Sequence, residues 1–250
     1  MEVSQVIEET ISAMTLQLVI YAVELEGSNY KVYTQNTQYL RKGSRVSIDS
    51  KNWKVESFSK DYFLVLSQIG HSDSISTGTY TIANPTFKYG KLKAVNEELG
   101  LVTNPMPLIW MLDLSPRTVP QDRTTVIESE GNVRLFFMNS ADYGSYTTAD
   151  HYTNVIKPLN TLVDSFFTQL KKHTRVGQTF ITSRTPHAKF TTGGGFSGAE
   201  ENEVLGRFLS GVEVEIDIPI KVQLTCPVKI IPSVSGFAFS NAFSNAFNVA

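Results

Sequence analysis

Between residues 212 and 218 the chain alternates without a break. Val212, Val214, Ile216 and Ile218 are apolar, and Glu213, Glu215 and Asp217 between them are acidic. Successive side chains of a strand point to opposite faces, so this period of two defines a half-buried β-strand. One face must meet a core and the other is polar. Val222, Leu224 and Cys226 continue the alternation past Pro219, which has to sit at a sheet edge or a bulge because it has no N–H to give a neighbour.

A second segment has the other period. From about Asp150 to His173, the residues Val155, Ile156, Leu159, Leu162, Val163, Phe166, Phe167 and Leu170 recur every three or four positions. They form one apolar stripe along a helix. Lys171, Lys172 and His173 place positive charge in its last turn, where it complements the helix dipole. Pro158 lies inside the pattern. The favoured expectation is a helix starting near Lys157 with Pro158 at its first position; the other is a kink.

Residues 4–15 read as a short helix with Ser4 able to cap it and Val6, Ile7 and Ile11 on one face. Leu16 to Ala22 follow as a strand apolar on both faces, which predicts a central strand. Residues 30–84 hold five short β-rich runs at Tyr30–Tyr33, Arg45–Ile48, Trp53–Phe58, Tyr62–Leu66 and Thr79–Ile82. Turn residues such as Asp49-Ser50 separate them, and this spacing predicts a small barrel or sandwich. Its aromatic residues are needed to fill a core, although Trp53, Tyr62 or Phe63 could also stack on a base or a sugar if exposed. Pro85 to Pro107 is a connector with a short helix near Lys91–Leu99. Leu108–Leu114 and Val133–Met138 are apolar strands flanking an exposed loop from Ser115 to Ser129.

Composition narrows the function classes. The net charge is −2 over 250 residues, so no basic field gathers nucleic acid. Only 18% of residues are charged, and 24 Ser and 24 Thr take their place. A single cysteine, Cys226, makes no internal disulfide, which fits synthesis in a reducing cytosol. The start at Met1-Glu2-Val3 has no signal-peptide pattern. The apolar run Leu16–Leu25 is half the roughly 20 residues that a membrane span needs. No membrane association is expected.

Motifs for chemistry are weak. Gly193 to Gly198 match GxGxxG in form, but the polar Pro186–Thr192 precede them and Glu200, Glu201 and Glu203 follow, so a flexible glycine loop is the better reading. His71, His151, His173 and His187 show no metal-ligand spacing. A Cys226–His187 nucleophile pair has no support beyond the two residues, and Cys226 reads as a buried thiol. Glu213, Glu215 and Asp217 read as a solvated strand face, or as the lining of a negatively charged channel if copies form a ring. No catalytic residue, cofactor or metal site is expected.

The last stretch is unusual. Residues 237–250 carry no charge and repeat Phe-Ser-Asn-Ala. Phe237, Phe239, Phe243 and Phe247 all occupy odd positions, while the even ones are Ala, Ser or Asn, so a strand would present every Phe on one face. A helix would also align three of them, with mediocre helix formers between. Burying each Phe is worth about 1.5–3 kcal/mol, so the arm packs on its own domain or, as preferred here, on a neighbour.

Three stretches taken together resemble a known family. They are the proline-led apolar strand Thr103–Leu114, the strand, Tyr/Thr/Asp loop and helix across residues 133–170, and the turn into the alternating strand at Val204–Ile218. Their order is similar to the head–tail joining proteins of tailed bacteriophages, of the tail terminator or tail-completion type. The resemblance covers about residues 100–228. It implies an α+β fold with an antiparallel sheet flanked by helices; residues 30–84 and the Phe-Ser-Asn-Ala tail depart from the family's minimal pattern, and 30–84 read as an inserted small all-β barrel-like subdomain. The expected division is 1–29 with 85–232 as the core domain, 30–84 as the insertion and 233–250 as a C-terminal arm. The implied function is a structural virion protein, made in the bacterial host cytoplasm. Its copies form a homo-oligomeric ring, commonly hexameric, that caps the tail tube and joins it to the neck or connector, with no cofactor and no specific nucleic-acid binding. The arm phenylalanines would form its subunit interface. The competing expectation is a carbohydrate- or nucleic-acid-binding module built on residues 30–84.

Overall fold

The structure is a computed structural model that describes residues 3–91, 95, 106–112, 128–141, 144–188 and 209–221. The candidate arm with Phe237, Phe239, Phe243 and Phe247, the Gly193–Gly198 loop and Cys226 lie outside the described residues.

The short β-rich runs fold as their alternation requires. They give β2 (Asn29–Thr34), β3 (Arg45–Ile48), β4 (Lys51–Ser59), β5 (Phe63–Gln68) and β6 (Gly78–Ile82). These join β1 (Leu16–Glu26) in a six-stranded antiparallel sheet of order β3-β4-β5-β2-β1-β6, whose end strands β3 and β6 come together in a nearly closed, barrel-like form. The β3–β4 hairpin turns on Asp49 and Ser50, both at positive φ, which suits the right-handed twist of the flanking strands. The strand at Leu16–Glu26, expected with the core domain, is therefore a member of the small sheet, paired to β2 and β6.

That strand is also not buried on both faces. Leu16, Leu18 and Ile20 lie in the core, while Val19 and Tyr21 are about half exposed. The pairing with β2 skips at Tyr21, where Ile20 faces Thr34 and Ala22 faces Tyr33. The bulge reverses the inward parity, so Val23 then packs against the core.

A second sheet has the order β10-β11-β9-β8-β7, formed by β7 (Thr86–Tyr89), β8 (Leu108–Met111), β9 (Glu128–Ser140), β10 (Phe180–His187) and β11 (Leu209–Lys221). All its pairings are antiparallel except β7 with β8. The predicted alternating strand is β11. Val212, Val214 and Ile216 are opposite Phe137, Leu135 and Val133 of β9, and these pairs share the buried face. Pro219 falls beyond the last residue that β10 pairs, Asp217, and its carbonyl accepts from Gly177 N–H at 2.8 Å. Its missing donor points away from β9, to the side where β10 has ended and the Val176–Gly177 segment runs alongside, so Pro219 sits beside a short bridge and not at the open sheet edge or bulge that was expected.

The apolar helix stripe covers that face. It begins earlier than expected, at α2 (Thr148–His151), and passes through a π-helical turn at Tyr152–Ile156 into α3 (Lys157–Leu170). Thr147 and Asp150 form a reciprocal capping box at its start. The expectation of a start near Lys157 is corrected. A proline ring clashes with the carbonyl four residues back, and the wider π turn relieves that conflict while the helix runs on. Leu159, Leu162, Val163, Phe166 and Leu170 are buried against β9 and β11, with Phe166 edge-on to Phe137 at 5.6 Å. Helix α1 (Val3–Ser12) packs on α3 through Val6, Ile7 and Ile11. Its buried side chains belong to the single apolar core that also holds the interiors of the small sheet and of the larger one. A second cluster on the other face of the larger sheet contains Leu108, Trp110, Phe136, Met138 and Leu209, with Trp110 stacked on Phe136 at 5.0 Å.

The whole is an α+β arrangement of antiparallel sheets with few helices. Among the described residues, no helix is long and apolar enough to cross a membrane.

Candidate functional site

Alternation puts Glu213, Glu215 and Asp217 on the face of the larger sheet opposite α3, and the register brings partners to each. Arg134, directly opposite Glu215 on β9, places its Nε 2.7 Å from Glu215 and 3.2 Å from Glu213. His187 Nε2 lies 2.9 Å from the other Glu213 oxygen. Asn132 donates to Asp217 at 3.0 Å. The row, read from sequence as a solvated strand face or a channel lining, is thus half-buried and tied to one guanidinium, one imidazole and one amide. His187, considered as a partner for Cys226, is engaged with Glu213.

A serine and a histidine also meet in the interior, but not as a nucleophile pair. Ser210 Oγ donates to the Ala188 carbonyl at 2.5 Å. Its only proton is used there, so His151 Nδ1, 2.9 Å away, carries the hydrogen of the bond between them. An activated serine gives its proton towards the imidazole, which is the reverse order. Among the described residues, no group of His, Cys, Asp and Glu has a metal-binding arrangement.

The surface that departs most from an ordinary soluble face is the outside of the small sheet. There Val19 is 48% exposed, Tyr21 51% and Tyr62 55%. Tyr33 and Phe63, paired across β2 and β5, join them. The rings form an edge-to-face cluster: Tyr33 is 5.7 Å from Tyr62 and 6.5 Å from Phe63, and Tyr62 is 5.6 Å from Phe63. Tyr21 adds a tilted contact to Tyr33 at 6.3 Å. Lys31 Nζ lies over Phe63, 4.6 Å from the ring centre. Tyr33 Oη donates to Glu24 at 2.7 Å, and that bond to a carboxylate holds the phenol above its ordinary pKa. The polar rim therefore carries both signs of charge around an apolar centre.

Of the three aromatics singled out as stacking platforms, Trp53 is 1% exposed and belongs to the core, which removes it from this surface. Tyr62 and Phe63 remain on it. Tyr21, Tyr33 and Val19 were not anticipated there. For Val19 and Tyr21 the signal was the Leu16–Ala22 run itself, a strand apolar on both faces in a sheet too small to be covered on both sides; Tyr33 is brought there by its pairing with Phe63.

Neither a protein-family model nor a curated protein nor a solved structure matches this chain.

Proposed function

We propose that this chain is a structural protein that works by docking to copies of itself and to neighbouring chains. In its specific form the proposal is a ring-forming virion component of a phage head–tail junction, a tail terminator or neck protein. It would cap the tail tube, join it to the connector, and carry neither cofactor nor catalytic residue. One observation carries the docking reading: the outer side of β1, β2 and the start of β5 presents the exposed Val19, Tyr21 and Tyr62 together with the half-buried Tyr33 and Phe63, with no cover among the described residues. An apolar centre of tyrosine and phenylalanine with a mixed-charge rim is the composition of a protein–protein contact. The phage assignment rests on the sequence resemblance.

The second reading, a carbohydrate- or nucleic-acid-binding module, is favoured by the exposed ring of Tyr62. Against a nucleic-acid strand stands the charge around the cluster. Lys31 is flanked by Glu24 and Glu26, whereas a single-strand groove tracks phosphates with positive charge.

Light scattering on the purified full chain, with negative-stain microscopy, tests the proposal. Rings of defined size are expected, and Tyr21→Glu with Tyr62→Glu should shift the mass towards the monomer while the melting temperature holds. A monodisperse monomer at high concentration contradicts it. Binding of oligosaccharide or single-stranded DNA that is lost in the same variant would select the second reading.

A further inference from the structure

Arg41, in the loop between β2 and β3, is 8% exposed, and its side chain crosses from the small sheet to the end of β9. Its Nη2 donates to Asn139 Oδ1 at 3.1 Å and to Ser140 Oγ at 2.6 Å, and its Nη1 donates to the Lys42 carbonyl at 3.0 Å. All three acceptors are neutral. The Nε atom is buried and has no hydrogen-bond partner among the described residues. Among the described residues no carboxylate pairs with the guanidinium. Among the described residues, the ionisable side chain whose charge is felt at the guanidinium is that of Tyr146. Burial holds the guanidinium below its ordinary pKa. A buried charge without a counter-charge is costly to keep, so its retention calls for an anion.

The surroundings supply a place for one. Arg41 lines a crevice of about 350 Å³ between the two sheets, with Ser44, Asn52, Asn84, Asn139 and Ser140 around it. Among the described residues its lining offers hydroxyls and amides and no acid. Ser47 and the exposed Arg45 also line it, from the β3 side. The volume lies within the range of small-ligand sites.

We infer that this crevice is a carboxylate-binding site in which Arg41 supplies the counter-charge. Arg41 is the buried positive charge of the described lining and one carboxylate neutralises it, whereas a phosphate, at about −1.5 to −2 near pH 7, would carry further negative charge that faces only the solvent-exposed Arg45. The carboxylate accepts from the Arg41 guanidinium and from the neutral donors beside it, which makes charge-assisted bonds on one side and ordinary ones on the other. The inference does not depend on the proposed role in assembly.

Thermal unfolding of the full chain tests it, with sodium acetate titrated against sodium chloride at equal ionic strength. Acetate should raise the melting temperature saturably, by on the order of 5 °C at a hundredfold excess over the dissociation constant. The rise should vanish in Arg41→Met and in Ser47→Trp, which fills the crevice from β3 and leaves Arg41 in place; if Arg41→Met does not fold, Ser47→Trp decides alone. Stronger stabilisation by succinate than by acetate would assign the site to a free di-acid. Stronger stabilisation by a capped aspartyl peptide would assign it to an acidic side chain of another protein. No acetate-specific rise, an equal rise in the folded variants, or a larger rise with inorganic phosphate overturns the inference.

Discussion

Trp53 shows how one residue divides two readings of the small sheet. It is almost fully buried, with its ring edge-on to Tyr30 at 5.5 Å and to His71 at 4.6 Å. Trp53→Ala should therefore cost about 3–5 kcal/mol in a denaturant titration, as large-to-small core changes do. Unchanged stability would return Trp53 to the surface. Asp61 gives a pH-dependent case. Burial pushes its carboxyl up, but the Lys60 ammonium at 2.7 Å and the N–H and hydroxyl of Thr37 outweigh that and leave its pKa below the usual carboxylate value. A depressed carboxyl stabilises the fold above its unfolded pKa, and the contribution is lost as pH falls through the folded value. Asp61→Asn should flatten the acid limb of the stability–pH curve below about pH 4 relative to the parent chain; an identical limb would show that the Thr37 contacts do not favour the charged form. Arg41 illustrates what sequence hides at this scale. In Leu40-Arg41-Lys42-Gly43 it reads as loop charge, because its burial is created by a strand almost a hundred residues away.

At the scale of elements, periodicity carried most of the information. The alternation at 212–218 and the stripe at 155–170 each specify a buried face, and the structure places those faces against each other. The five runs between Tyr30 and Ile82 are all strands. What periodicity could not supply was membership. Leu16–Glu26 belongs to the small sheet because of its pairing to β2 and β6, which no local pattern encodes. The same limit applied to Pro158, whose cost is absorbed by a π turn in the preceding residues. The register of β11 on β9 turns on Gly211, where a Cβ would stand 2.4 Å from the Phe137 carbonyl oxygen. Gly211→Ala should destabilise the protein by about 1–3 kcal/mol, as overpacking does, with hydrogen exchange faster in β9 and β11 than elsewhere. A neutral effect would mean that the two strands separate easily at that end.

For the whole molecule, the described residues form two sheets that share one core through α1 and α3, with two features left over on the outside. One is the aromatic face of β1, β2 and β5; the other is the Arg41 crevice where the sheets meet. The row Glu213, Glu215 and Asp217, read from sequence as a solvated strand face or a channel lining, is bound into a network with Arg134, His187 and Asn132. Whether copies meet through the aromatic face or through the residue 233–250 arm is separable. Truncation after residue 232 should weaken assembly and leave the melting temperature unchanged if the arm docks on a neighbour, whereas a lowered melting temperature with assembly intact would place it on its own subunit.

The most direct measurement is the mass and symmetry of the purified full-length particle, by light scattering and class averages of stained images. The account predicts a closed ring of identical subunits that falls apart when Tyr21 and Tyr62 are both replaced by glutamate. A single-subunit mass that persists at millimolar concentration, with the parent chain and the double variant indistinguishable, would contradict it.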